Sequence, residues 1–239
     1  MSVTTPPSAP TTLIVGGSSL VGIATARQFS ANGHTVIATH RNSFPAAIAG
    51  LATWLPLDLA DDTSIEGFKE RLLAVTTSLD TVIFVAGILP GHSLEEYSGA
   101  EMNTVMSINF LGQAKCLKAV LPVLNTSAQI LMISSISGER GSYDPIYAAS
   151  KGAIIAFVKS LATWLPPKVR CLAIAPGTIE GSAMYQAMSP ATRQAHLDRT
   201  PLKELLAADD LALVILNLTM KHWAHANGTC IRLNGGAYV

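Results

Sequence analysis

Ser134-Ser135-Ile136-Ser137-Gly138, a polar loop, and then Tyr147-Ala148-Ala149-Ser150-Lys151 form the stretch that decides how this 239-residue chain is read. A tyrosine four residues before a lysine lies one helical turn away on the same face, so the ammonium can sit near the phenol oxygen. An isolated phenol has a pKa of about 10, and each unit of lowering takes about 1.36 kcal/mol of differential stabilisation. A fixed lysine supplies part of that, so Tyr147 is expected to trade a proton with an alcohol or carbonyl oxygen near neutral pH. Asp144-Pro145 just upstream suits an N-cap followed by N1, which gives the helix carrying the pair its start.

A second signal lies near the amino end. Thr11 to Val15 is a short apolar run, expected as a strand, that feeds Gly16-Gly17-Ser18-Ser19-Leu20-Val21-Gly22. Ile23 to Ser30 then reads as a helix ending near Asn32-Gly33. Strand, glycine turn and helix make the dinucleotide-binding arrangement, in which a helix N-terminus offers free amides to a pyrophosphate. The alternative is a glycine turn that only packs helix on strand.

Taken together, and over roughly Thr11 to Gly236, the chain resembles the short-chain dehydrogenase/reductase family. The resemblance implies a single α/β domain, a Rossmann-type doubly wound parallel sheet spanning residues 11–239. It also implies roles for named residues. Ser135, opening the family's Ser-x-x-Gly turn with Gly138, would hydrogen-bond the substrate oxygen, with Ser134 as the neighbouring alternative. Tyr147 would be the acid/base, and Lys151 would hold the nicotinamide ribose and lower the phenol pKa. Asn109, in Ser107-Ile108-Asn109-Phe110-Leu111-Gly112, would hold a water linking Lys151 to solvent.

Cofactor contacts are implied at Gly16, Ser18, Ser19, Leu20 and Val21 in the glycine loop and at Asp58-Leu59 beside the adenine. Ala86-Gly87 and Pro176-Gly177 with Ile179 would complete the cleft, together with Tyr147 and Lys151. The chain departs from the family pattern at four places. Val15 stands for the loop threonine and Leu20 for its middle glycine, where a side chain would obstruct the close approach of backbone to phosphate. Phe84-Val85 replaces the two asparagines before Ala86-Gly87, and Gly181 stands where a threonine is often found. Loss of both polar partners at Val15 and Phe84-Val85 can be close to neutral, because neither is left stranded.

His34 to Thr39 is expected as the second strand, ending in His40-Arg41-Asn42 with no acidic residue to accept from ribose hydroxyls. Arg41 can instead pair with a 2′-phosphate, so NADP(H) is expected over NAD(H); the alternative is a solvated arginine. Asp58 could equally belong to the helix-capping turn Asp61-Asp62-Thr63 that follows. Further strands are expected at Trp54–Leu57, Asp80–Val85, Gln129–Ser134, Val169–Ala175 and Gly228–Leu233, with a long helix over Glu101–Val120 and another over Asp209–Met220. Ser182 to Arg199, with Met184, Tyr185, Met188 and His196, is placed as a substrate lid near residues 182–200, because flexible methionines suit an apolar ligand. Tyr143, four residues before Tyr147 but without a correctly spaced lysine, is given a substrate-wall role at most.

Composition narrows the class. Sixteen basic and sixteen acidic residues cancel, and only 13% of the chain is charged, so nothing recommends a nucleic-acid partner; a small apolar carbonyl or alcohol substrate fits better. Hydrophobic residues make up 49%, but no apolar run reaches membrane-spanning length, and buried parallel strands account for the excess. Three separated cysteines, Cys116, Cys171 and Cys230, argue against a disulfide framework and for a cytoplasmic location. His222 and His225, flanking Trp223, lack an accompanying ligand, so no metal is expected. Met1 to Pro10, rich in Ser, Thr and Pro, reads as a disordered tail.

The expected activity is NADP(H)-dependent interconversion of a ketone and a secondary alcohol. A cofactor-sensing or scaffold protein without turnover is the alternative that Leu20 and Phe84-Val85 motivate. Reduction of an enone double bond is a third, disfavoured because that chemistry in this fold goes with a wider tyrosine-to-lysine spacing. The family's usual assembly as dimers or tetramers implies a homo-oligomer through the helices bearing Asn109 and Tyr147.

Overall fold

The computed structural model describes residues 9–239. Strands β1 (Thr11–Val15), β2 (Thr35–His40), β3 (Thr53–Pro56), β4 (Leu79–Phe84), β5 (Leu124–Ile133), β6 (Arg170–Pro176) and β7 (Cys230–Leu233) form one parallel sheet in the order β3-β2-β1-β4-β5-β6-β7. Between β1 and β4 the order reverses, and crevices at the carboxyl ends of such strands collect ligands. Helices are α1 (Leu20–Ala31), α2 (Asp62–Val75), α3 (Gly99–Met106), α4 (Gly112–Val120), α5 (Ser137–Arg140), α6 (Pro145–Trp164), α7 (Ala183–Ala187), α8 (Pro190–Arg199) and α9 (Ala208–Leu218).

The sheet is covered on both faces, which is why its strands read as unbroken apolar runs rather than alternating ones. One face packs Leu13, Val82, Ile130 and Cys171 against α2, α4 and α6, where Phe68, Leu117 and Val158 are fully or almost fully buried. The other packs Ile14, Ile83, Leu131 and Leu172 against α1 and α9 through Phe29, Leu211 and Ile215. Each such side chain contributes roughly 1.5–3 kcal/mol by leaving water, so the sheet forms a stiff base for the loops at its carboxyl edge.

Most element limits fall within a residue or two of expectation, and β1 matches it. Helix α1 begins at Leu20, three residues ahead of the expected Ile23, because Ser19 caps it, and two further elements differ for physical reasons. The helix expected over Glu101–Val120 is three pieces, because a π-turn at Ser107–Leu111 separates α3 from α4, with the Gly112 amide reaching back five residues to the Ser107 carbonyl. A Cβ on Gly112 would meet the Leu59 carbonyl oxygen, so helix and β3 loop touch through bare backbone there. β5 begins at Leu124 rather than Gln129, its first residue pairing with Leu79 across a register shift.

The expected disordered tail lies outside the described residues up to residue 8; the Pro10 carbonyl accepts from Thr35 N at 2.9 Å. Among the described residues no helix is long and apolar enough to cross a membrane, and no His/Cys/Asp/Glu group could hold a metal. His222 and His225 are exposed, and His222 faces Asn217 instead.

Candidate active site

The glycine loop after β1 is shaped by contacts only bare backbone permits. Gly16 has φ +89°, and a Cβ there would stand 2.7 Å from Ala86 N. Its amide donates to the Thr39 hydroxyl at 2.9 Å, while Ser19 caps α1 by accepting from Gly22 N at 3.1 Å. That cap satisfies one of the helix's open donors and leaves the Leu20 and Val21 amides, the first two of α1, without partners among the described residues.

A cleft of about 280 Å³ runs past this turn, walled by Gly16, Ser18, Ser19, Arg41, Asp58, Leu59, Ala86 and Gly87. The bare Gly16 turn and the free amides fit the pyrophosphate of a dinucleotide. Asp58 answers to both of its expected settings: it borders the cleft, and its Oδ1 also accepts from Ala60 N at 2.9 Å. Where the family pattern has polar side chains between β1 and β4 and this chain has Val15 and Phe84-Val85, the Val15 carbonyl accepts from both Val85 N (2.9 Å) and Ala86 N (3.2 Å), so main chain makes the join.

Leu20 does not obstruct the glycine turn as expected. Its side chain, 44% exposed, leans the other way, with Cδ2 at 3.5 Å from where a Cβ on Gly181 would be. It therefore walls a second cleft, of about 200 Å³, which also holds Val21, Ser135, Tyr147, Lys151, Pro176, Gly177 and Ile179. Ser19 and Gly87 border both clefts, so the two adjoin.

β5 and the start of α6 deliver the polar groups of this second cleft. Ser134 and Ser135 separate clearly: the Ser134 hydroxyl donates to the Lys151 carbonyl at 2.7 Å, whereas Ser135 Oγ accepts from Ser137 N at 3.1 Å and lines the cleft with Tyr147, whose pKa its hydroxyl lowers. Asp144 caps α6 by accepting from Tyr147 N at 2.8 Å, with Pro145 at N1. Lys151 is buried and donates to the Ile133 carbonyl at 2.8 Å, its Nζ lying 5.9 Å from the Tyr147 ring centre. Burial brings the lysine pKa down to about 8.

The phenol differs from expectation. Burial holds Tyr147 above its ordinary pKa, the Ser135 hydroxyl pulls it back, and the Asp144 charge pushes it up. Desolvation sets the direction, and the Ser135 hydroxyl works against it.

Asn109 is fully buried in the π-turn. Its Oδ1 accepts from Ile88 N at 2.8 Å, and Nδ2 donates to the Ile88 carbonyl (2.9 Å) and to Ser150 Oγ (3.0 Å). Both amide hydrogens are thus taken, and one lone pair of Oδ1 is left to receive a water. That oxygen and Lys151 Nζ converge on Gly87, at 3.4 and 3.2 Å from a Cβ built there.

The expected lid comprises α7 and α8, with Met184, Tyr185, Met188 and His196 lining the cleft. Sequence reading missed the tie that holds it: His196 Nδ1 lies 2.9 Å from Thr178 Oγ1, joining α8 to the turn after β6. The imidazole is kept below its usual pKa first by burial and then by Arg199 and Arg140. Also missed were Leu89 and Arg140 as lining residues, for which no local pattern exists. Tyr143 is no wall: it is 73% exposed and faces Glu96.

The comparisons agree with this geometry. A family model described as Enoyl-(Acyl carrier protein) reductase matches residues 17–238. The chain is 29% identical over 236 residues to the 3-oxoacyl-(acyl-carrier-protein) reductase FabG of Escherichia coli (strain K12), covering 95% of this chain and 96% of that protein. It is 32% identical over 169 residues to a 3-ketodihydrosphingosine reductase of Bacteroides thetaiotaomicron, 69% of this chain and 62% of that one. Among solved structures, a short-chain dehydrogenase/reductase from Brucella melitensis superposes with TM-score 0.90 at 27% identity, covering 96% and 97% of the two chains. A short-chain dehydrogenase from Burkholderia cenocepacia J2315 in complex with NADP superposes with TM-score 0.88 at 25% identity, covering 95% and 97%. With a model match over nearly its whole length and a parallel seven-stranded sheet, this chain belongs to the short-chain dehydrogenase/reductase family of oxidoreductases.

Proposed function

We propose that the protein interconverts a ketone and a secondary alcohol using NADP(H). The observation that carries this reading is the meeting of Ser135, Tyr147 and Lys151 in one cleft that shares Ser19 and Gly87 with the crevice at Gly16. A bound nicotinamide dinucleotide supplies or accepts the hydride. Tyr147 gives the carbonyl oxygen its proton, or takes it back in the reverse direction, and Ser135 holds that oxygen through its hydroxyl. Lys151 below pH about 8 carries a buried positive charge that favours an ionised phenol next to it. Val85, Leu89, Ile136, Met184 and Met188 exclude water and favour a small apolar substrate.

Gly16, Ser18, Ser19, Leu20 and Val21 would hold the pyrophosphate, Asp58 and Leu59 the adenine, and Pro176, Gly177 and Ile179 the nicotinamide side. Arg41 borders the dinucleotide crevice with no ion pair among the described residues, which supports recognition of a 2′-phosphate, as does the likeness to an NADP-bound dehydrogenase. Replacing Arg41 by alanine is expected to lower kcat/KM for NADPH by about tenfold to a hundredfold and leave that for NADH within twofold. Equal efficiencies for the two cofactors in the unaltered protein would remove the assignment.

The model match to an enoyl reductase family favours a second reading, reduction of a conjugated double bond. Product analysis on an enone decides: an allylic alcohol supports the first reading and a saturated ketone the second. Free cysteines at 116, 171 and 230 support a reducing, cytoplasmic setting. Exposed Leu111, in the π-turn that holds Asn109, and exposed Trp164, at the end of the helix that bears Tyr147, support a homo-oligomer built through those helices.

A further inference from the structure

Asp144 is 2% exposed, yet it is far more heavily engaged than a helix cap requires. Its carboxylate accepts from Tyr147 N at 2.8 Å, from Gly91 N at 3.0 Å, and from the Tyr97 hydroxyl, which lies 2.9 and 2.8 Å from the two oxygens. Capping accounts for the first contact only, and serine caps equally well. No lysine, arginine or histidine pairs with it among the described residues. A carboxylate taken out of water without a cation persists only where several donors compensate it. Two of those donors come from the segment after β4, forty-seven and fifty-three residues away in sequence, the same segment whose Leu89 walls the catalytic cleft.

Asp144, Tyr147 and Lys151 stand at i, i+3 and i+7 on α6, so carboxylate and ammonium flank the phenol along one helical face. The other charged or titratable groups lining the cleft of the phenol, besides Lys151, are Arg140 of α5 and Tyr185 and His196 of α7 and α8. Behind Tyr97 stand the His92 ring, 5.2 Å centre to centre, and Glu101, whose carboxylate lies 4.0 Å from His92.

We propose that Asp144 is a positioning residue: it ties the Gly91–Tyr97 segment, which follows the cleft-lining Leu89, to the start of α6, and its buried charge opposes ionisation of the Tyr147 phenol. The second half rests on the acid/base role given to Tyr147 above. A phenol kept protonated suits donation to a carbonyl oxygen, so the device favours reduction over oxidation. Its sign agrees with the upward push of Asp144 on the Tyr147 pKa, and Tyr97 is itself held well above its ordinary range by burial and by the same carboxylate.

Two variants separate the parts. Asp144→Ser keeps the cap but loses both the charge and the reach to Gly91 and Tyr97, and Tyr97→Phe removes one donor while keeping the charge. The phenolate fraction of Tyr147 at one fixed alkaline pH is read by ultraviolet difference spectroscopy of cofactor-free protein, with Tyr147→Phe as the blank. In Asp144→Ser it is expected to rise about tenfold, one unit of pKa. The alkaline limb of kcat for ketone reduction with NADPH is expected to move down by about one pH unit, and KM to rise about fivefold. Tyr97→Phe is expected to raise KM about threefold with the phenolate fraction within twofold of the unaltered protein. An unchanged phenolate fraction in Asp144→Ser overturns the charge role, and an unchanged KM in Tyr97→Phe overturns the tie. If Asp144→Ser does not fold, Tyr97→Phe still decides the tie, and Asp144→Asn read in the same titration decides the charge. If the unaltered protein reduces no ketone, it is the carbonyl-reductase reading that falls, and the phenol titration still stands.

Discussion

Replacing Tyr147 by phenylalanine lowers kcat for ketone reduction by about a thousandfold and leaves the dissociation constant for NADPH within about twofold. The ring stays because its packing is apolar and buried, so the variant keeps the cleft and loses one oxygen. That oxygen faces the cleft beside Ser135, whose own Oγ still accepts from Ser137 N, so water replaces the phenol oxygen at little cost. Stopped turnover with intact cofactor binding is the signature of a proton-transfer group, since on the proposed reading the glycine turn and Lys151 would hold most of the dinucleotide. Steady-state kinetics beside a fluorescence titration of NADPH read both quantities. A kcat within tenfold of the unaltered protein would show that another group moves the proton. The pH dependence carries a sign: reduction needs the protonated phenol, so the rate is flat at low pH and falls as pH rises through the Tyr147 pKa, which burial holds above its ordinary value.

What could be read in advance was local in sequence. The Tyr147–Lys151 pair and the Asp144-Pro145 helix start depend on spacings within one or two helical turns, and they stand in the structure as the periodicity requires. The strand-glycine-helix unit at Thr11 to Gly22 is legible for the same reason, its constraint being a short backbone path. Ser135 is favoured over Ser134 only through the family's Ser-x-x-Gly turn, because which hydroxyl faces the cleft depends on how the end of β5 meets α6, a contact across seventeen residues. The π-turn had no signature, since a single extra residue in a helix shifts the apolar period too little to read. Leu20 was judged by the backbone position it occupies, whereas its effect depends on where the side chain leans, and that is set by Gly181 a hundred and sixty residues on. Tyr97 and Gly91 around Asp144 are likewise joined only by the fold.

The second large effect is expected from Gly16→Ala, which should lower Tm by about 10 °C and weaken NADPH binding by about a hundredfold or more. Two costs add. At φ +89° an alanine is strained by roughly 1–2 kcal/mol, and its methyl would stand 2.7 Å from Ala86 N and 2.8 Å from Ala86 Cα. Those are backbone atoms that cannot swing aside: the Ala86 and Val85 amides are both held by the Val15 carbonyl, and the Gly16 amide is held by Thr39. Relief requires the carboxyl ends of β1 and β4 to part, an overpacking cost of about 1–3 kcal/mol. Parting them also moves Ala86-Gly87 away from the first amides of α1, so the dinucleotide loses its seat along with the stability. Gly33→Ala is the control, since Gly33 has φ +81° with nothing within 4 Å of a built Cβ. It carries the strain without the collision, and its Tm is expected to fall by about 3 °C with NADPH affinity unchanged. Equal losses in the two variants would mean that backbone strain alone governs the turn and that the contact between Gly16 and Ala86 does not shape the crevice.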